Sequence, residues 1–155
     1  MFLTIHAATG VIIGQTTNNV TLAFFFGLIF HFVLDMIPHG DQALMRKDRM
    51  AKIRLIGSIA TVDAVIMGIF LSFIFNRALG LHYLPIAASV VGSILPDFFV
   101  GLAELTNNKI KWLSKFQSFH AHLHHFPLFE NFEPNLKTGI VMQAIILVFL
   151  TGLIL

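Results

Sequence analysis

The chain has no cysteine among its 155 residues. That excludes disulfides, thiolate metal ligands and thiol nucleophiles, so a metal could be held only by His, Asp or Glu. Charge is also scarce, at 12% of residues against roughly 25% in ordinary soluble domains. Neither a glycine-rich phosphate loop nor a GxSxG turn is present, which leaves nucleotide-cradling and serine-nucleophile chemistry without a signature. What the chain does have is apolar bulk: 56% hydrophobic residues, 17 of them Phe, and a mean hydropathy of +0.81. So little polar surface cannot coat a globule in water, and the apolar excess must face lipid. The expected fold is all-α, a polytopic transmembrane helix bundle formed by residues 1–155 as a single integral membrane domain.

Hydropathy places strong spans at about 20–38, 53–75, 83–105 and 139–155, each near the roughly 20 residues that cross a bilayer. A shorter stretch, 1–17, reads as a fifth span or as a re-entrant helix, giving four to five spans in all. It starts apolar, without a positive n-region, and so does not read as a cleaved signal peptide. The breaks are chemically sensible. Gln15–Asn19 is polar, Pro38-His39-Gly40 stops the second span, and Pro85 suits the first turn of the fourth.

Basic residues crowd two loops, 39–52 (Arg46, Lys47, Arg49, Lys52) and 106–138 (Lys109, Lys111, Lys115, Lys137), with Arg54 just beyond the first. With alternating spans both loops fall on one face, which the positive-inside rule makes cytoplasmic. The net charge of +2 and pI near 9.2 are therefore read as topology and anionic-lipid signals, with no nucleic-acid partner. The expected location is a membrane, multi-pass, with membrane lipid as partner and a homo-oligomer left open.

Ionisable side chains at membrane depth are costly and each needs a reason. At 1.5 Å per residue, Asp35 lies about 5 Å and His31 about 10 Å from the Pro38 end of its span, and Asp97 about 12 Å from Leu105. His6 lies near the inner end of the first segment, and Asp63 is deeper. The loop returning to the same side carries His120, His122, His124 and His125. Polar groups from distant stretches thus gather at one leaflet, which a shared site explains.

Three motifs carry the signal. In His31-Phe-Val-Leu-Asp35 the imidazole and carboxylate share a helix face one turn apart and can reach one metal ion, or can simply satisfy each other. Pro38 and Gly40 then let His39 or Asp41 fold back toward the same centre. In Gly92-Ser-Ile-Leu-Pro96-Asp97, proline frees the Gly92 carbonyl and sets a carboxylate beside the break; the alternative is Asp97 paired with a loop cation. In His120-Ala-His122-Leu-His124-His125, a helix aligns His120 with His124 and a strand aligns three histidines. Metal ligation is a common role for such density, and an interfacial aromatic segment is the alternative. His6, with Gly10 one turn later, reads as a ligand or as a packing residue. Asp63 reads as a ligand, as an orienting partner of a histidine or as a charge partner.

Taken together, Thr4-Ile-His6-x3-Gly10, His31-x3-Asp35-x3-His39-x-Asp41 and Leu95-Pro96-Asp97 resemble the patterns of bacterial inner-membrane metal-dependent hydrolases. The His-x3-Asp pair is also similar to the ligand pair of zinc-dependent phospholipase C. The resemblance covers most of the chain in hydropathy and about a dozen residues in motif. The Arg-Gly-x-Thr-His-Ser run of the membrane family is absent. The resemblance implies His6, His31, Asp35 and Asp97 as ligands. The fuller expectation adds His120, His124 and Asp63, holding one to three zinc ions (manganese or magnesium as alternatives), with Asp41 or His39 as general base. The function expected is phosphoester or lipid-headgroup hydrolysis at the cytoplasmic leaflet. A proton or metal-ion transporter and a non-catalytic membrane scaffold are the competing readings.

Overall fold

A computed structural model of the chain describes residues 1–40, 49–77, 82–124 and 134–155. It is helical throughout, with no strand among the described residues. In order the helices are α1 (Leu3–Thr16), α2 (Val20–Asp35), α3 (Arg49–Arg77), α4 (Tyr83–Leu105), α5 (Lys111–His124) and α6 (Leu136–Ile154). Three of them, α3, α4 and α6, are long and apolar enough to cross a membrane. At 16 residues α2 is shorter, about 24 Å of helix against a hydrocarbon core of about 30 Å. It ends at Asp35, before Pro38, because proline disfavours helical geometry in the residue preceding it.

Local chemistry sets the other ends. Asn19 caps α2 by accepting from Leu22 N–H, and Asn135 caps α6 by accepting from Thr138 N–H, both at 3.0 Å. Two consecutive asparagines in the left-handed region, Asn107 (φ 55°) and Asn108 (φ 56°), stop α4, with Asn108 N–H returning to the Ala103 carbonyl. The segment 106–138, expected as a loop, contains α5. Its apolar positions lie on one side, which suits a helix lying on the assembly and not a span.

The central element is α1. Ten of its fourteen residues are buried, and it contacts α2, α3, α4 and α6. It is too short to span a bilayer unaided (about 21 Å) and is enclosed by its neighbours. It runs antiparallel to α4: Gly10 faces Val90 and Ser93, and Gly14 faces Ile86. A Cβ at Gly14 would come within 2.3 Å of the Ile86 Cα.

By contrast, α2 and α4 run parallel, one turn against one turn. Gly27 meets Ser89, His31 bonds the Ser93 carbonyl, and Asp35 sits level with Asp97. A Cβ at Gly27 would stand 2.2 Å from the Ser89 carbonyl oxygen, and one at Gly92 2.2 Å from the Phe24 carbonyl oxygen. These crossings need glycine, and the close approach they allow places His31 and Asp35 within reach of Asp97.

The opposite face of α2 is apolar and exposed, through Leu22, Phe25, Phe26, Ile29, Phe30 and Val33. So are most of α3 and α6, which suits contact with lipid.

A candidate metal centre where three helices end

Asp35, 1% exposed, is the hub. Its Oδ2 has three imidazole nitrogens around it, His31 Nε2, His120 Nε2 and His124 Nε2, each at 3.1 Å. Its Oδ1 faces His6 Nε2 at 3.2 Å and the Met1 amino group at 2.7 Å. The Asp97 carboxylate closes the group from α4. Its Oδ1 is 3.9 Å from His31 Nε2 and 3.8 Å from His120 Nε2, and its Oδ2 is 3.7 Å from His6 Nε2. Each carboxylate thus turns one oxygen toward the His31/His120 side and the other toward His6.

Hydrogen bonding alone does not account for this crowding. A carboxylate oxygen offers about two lone-pair directions, yet three ring nitrogens surround Asp35 Oδ2. His31 Nδ1–H donates to the Ser93 carbonyl at 2.7 Å, which fixes the ring with Nε2 turned toward the cluster. That carbonyl lies one residue beyond Gly92, which Pro96 deprives of its helical donor. His31 Nε2 and His120 Nε2 are 3.0 Å apart. His6 is fully buried and stacks on the His31 ring at 4.2 Å; its Nε2 faces the two carboxylates, and its Nδ1 has no hydrogen-bond partner among the described residues. A buried ring nitrogen left without a partner costs free energy.

A divalent cation fits these donors. Four ligand atoms around a tetrahedral zinc, with bonds near 2.1 Å, stand about 3.4 Å apart. Among His31 Nε2, His120 Nε2 and Asp35 Oδ2 the separations are 3.0, 3.1 and 3.1 Å, and Asp97 Oδ1 is the longer fourth corner. One ligand atom from each of these four residues lies within 4.8 Å of the other three. A divalent ion would also balance two carboxylates that are expensive to leave charged in an apolar surround.

Of the residues expected at the site, His6, His31, Asp35, Asp97, His120 and His124 come together. His120 and His124 do so as the helical alternative of their motif, on one face of α5. His39 is buried next to them, its ring 5.2 Å from that of His124, and its Nδ1–H donates to the Ile37 carbonyl at 2.7 Å. Asp41 and His125 lie outside the described residues, and His122 is exposed.

Asp63 is occupied elsewhere. Its carboxylate accepts from Leu3 N–H, Thr4 N–H and Thr4 Oγ1–H. It thereby caps the start of α1, where unsatisfied backbone donors and the helix dipole favour an anion. The ligand role expected of it does not follow from that position.

One participant carried no motif. Gln143 on α6 accepts from Phe2 N–H at 2.8 Å through Oε1 and donates to the His39 carbonyl at 3.3 Å through Nε2. It ties the start of α1 to the turn that carries His39. An amide in mid-span of an apolar helix was the available signal.

Glu104 accepts from Lys52 and Gln117, each at 2.8 Å, which fastens α3 and α5 to the end of α4. The cluster opens toward the surface at Asp97 and His124, whose side chains are 24% and 15% exposed. No family model, curated protein or solved structure matches the chain.

Proposed function

We propose that this protein is an integral membrane metal-dependent hydrolase whose centre lies at the inner end of its helices. The observation that carries the reading is the convergence of four histidine Nε2 atoms and two carboxylates on one buried point. On this reading His31, Asp35, Asp97 and His120 hold the first ion, zinc being the metal whose preferred donors and geometry match best. His6, facing the far oxygens of both carboxylates, is a ligand to a second. A bound divalent ion supplies Lewis-acid polarisation of an ester and an activated nucleophile at neutral pH.

The chain's own residues supply the rest. The Ser93 carbonyl fixes the His31 ring, α5 brings His120 and His124 over the carboxylates, and the apolar helices exclude bulk water. His39, buried beside His124 with its Nδ1–H donated to the Ile37 carbonyl, is the general base among the described residues on this reading. Substrate would enter at the Asp97/His124 opening. The exposed lysines Lys109, Lys111 and Lys115, in and just before the first turns of α5, give this side of the protein a positive field that favours an anionic phosphoester, and the apolar helices favour one carried on a lipid. In this topology α2 also crosses the membrane, α1 is enclosed by the spans, and the basic segments face the cytoplasm. That assignment fits a bacterial inner membrane.

Elemental analysis of detergent-purified protein tests the reading. Zinc or manganese at one to two ions per chain is expected, with His31→Ala/Asp35→Ala retaining less than a tenth of it. Equal and negligible metal in both would refute the metal centre. Phosphoester turnover that chelation abolishes and zinc restores is the expected activity.

A further inference from the structure

Helix α5 has three distinct faces at 3.6 residues per turn. One carries Leu113, Gln117, His120 and His124 and turns toward α4 and α2. A second is aromatic: Trp112 and Phe116 pack edge-on against Phe99 at 5.4 and 5.6 Å, and Phe119 packs against Phe32 at 5.7 Å. Trp112 and Phe119 nevertheless stay more than half exposed, at 55% and 52%. The third face is polar and exposed, formed by Lys111, Lys115, Ser118 and His122, with exposed Lys109 just before the helix. The described part of α5 carries no acidic residue.

An exposed aromatic stripe beside a lysine face matches a helix lying in the plane of a bilayer surface, rings at the acyl boundary and lysines among anionic headgroups. Such an occupant is specified by charge and by position. The same helix supplies two of the candidate ligands, and Glu104 at the end of α4 is held by both Gln117 of α5 and Lys52 of α3.

We propose that α5 binds anionic lipid headgroups through Lys111 and Lys115, and that this binding seats His120 and His124 at the metal centre. The second half of the proposal rests on the metal-centre reading; the first does not. Lipid can tighten metal binding only as far as it favours the seated position of α5. Each lysine at an anionic surface contributes roughly a fivefold preference.

The test uses the whole chain in nanodiscs of phosphatidylcholine alone or mixed with phosphatidylglycerol, as wild type and as Lys111→Gln/Lys115→Gln. Trp112 is the only tryptophan in the chain, so its quenching by lipids brominated near the headgroup reports the depth of α5 directly. The dissociation constant for manganese is measured in parallel by electron paramagnetic resonance. For wild type, phosphatidylglycerol should increase shallow-lipid quenching of Trp112 and lower the manganese dissociation constant several-fold. The variant should give the same values in both lipids. Wild-type quenching indifferent to phosphatidylglycerol, or a variant responding as strongly as wild type, would overturn the docking. A Trp112 response with an unchanged dissociation constant would overturn the linkage to the centre. Manganese binding in neither lipid would refute the metal centre itself, with Trp112 still deciding the docking.

Discussion

Helices α1, α2 and α4 meet along Gly10, Gly14, Gly27 and Gly92, whose missing Cβ leaves room for a neighbour's backbone, whereas Gly57 and Gly68 of α3 and Gly152 of α6 face open space. Gly139, in the first turns of α6, packs on the His39 carbonyl, and Gly101 of α4 faces open space. The inner three helices bury polar residues along their contacts, among them His6, His31, Asp35, Ser89 and Ser93. The outer two present long apolar surfaces and each reaches the start of α1 through one polar side chain, Asp63 from α3 and Gln143 from α6. The contrast separates two jobs. Close backbone packing brings candidate ligand atoms of His31, Asp35, Asp97 and His120 to within 4.8 Å of one another. The outer helices shield that arrangement from lipid and hold the start of α1 in place.

The sharpest way to break the comparison is to add volume at an inner crossing. Gly92→Leu drives a side chain into the Phe24 carbonyl and should destabilise the protein by about 3 kcal/mol or more, read as a lowered midpoint of thermal unfolding in detergent.

Removing the Asp63 cap comes next. Asp63→Asn gives up charge-assisted bonds to the first turn of α1 and should cost about 2 kcal/mol. Its metal content, however, should match wild type. Loss of one metal equivalent in a folded Asp63→Asn protein would make Asp63 a ligand after all.

A smaller effect is expected for Gln143→Leu, which strands the Phe2 N–H and the His39 carbonyl, at about 1–2 kcal/mol. Hydrogen exchange should show this as faster opening confined to the first turn of α1 and the His39 turn.

The smallest concerns the glycines of α3. Gly57→Ala meets no atom within 4 Å and should be neutral or stabilising by up to about 1 kcal/mol. A destabilisation as large as that of Gly92→Leu would erase the distinction between the two regions.

Much of this was legible from sequence because two of its signals are local. Apolar runs located α4 to the residue and α2, α3 and α6 to within a few residues. Intramembrane cost singled out His31, Asp35 and Asp97, since an ionisable group in such a helix needs a partner.

Other features depended on what lay across the chain. For Asp63 the partners are backbone N–H groups of α1, and backbone donors carry no sequence signature. His120 and His124 were placed together, but the choice between helix and strand for that segment rested on packing against α4 and α2. The Ser93 carbonyl that orients His31 follows from the parallel register of α2 and α4, which the glycine spacing permits without dictating it.

X-ray absorption at the zinc edge of membrane-reconstituted protein tests the central claim most directly. The account predicts a first shell of mixed imidazole nitrogen and carboxylate oxygen at about 2.0–2.2 Å, with at least two histidines by their outer-shell scattering and loss of that pattern in Asp35→Ala. An all-oxygen shell of water, or a spectrum unchanged by Asp35→Ala, would contradict it.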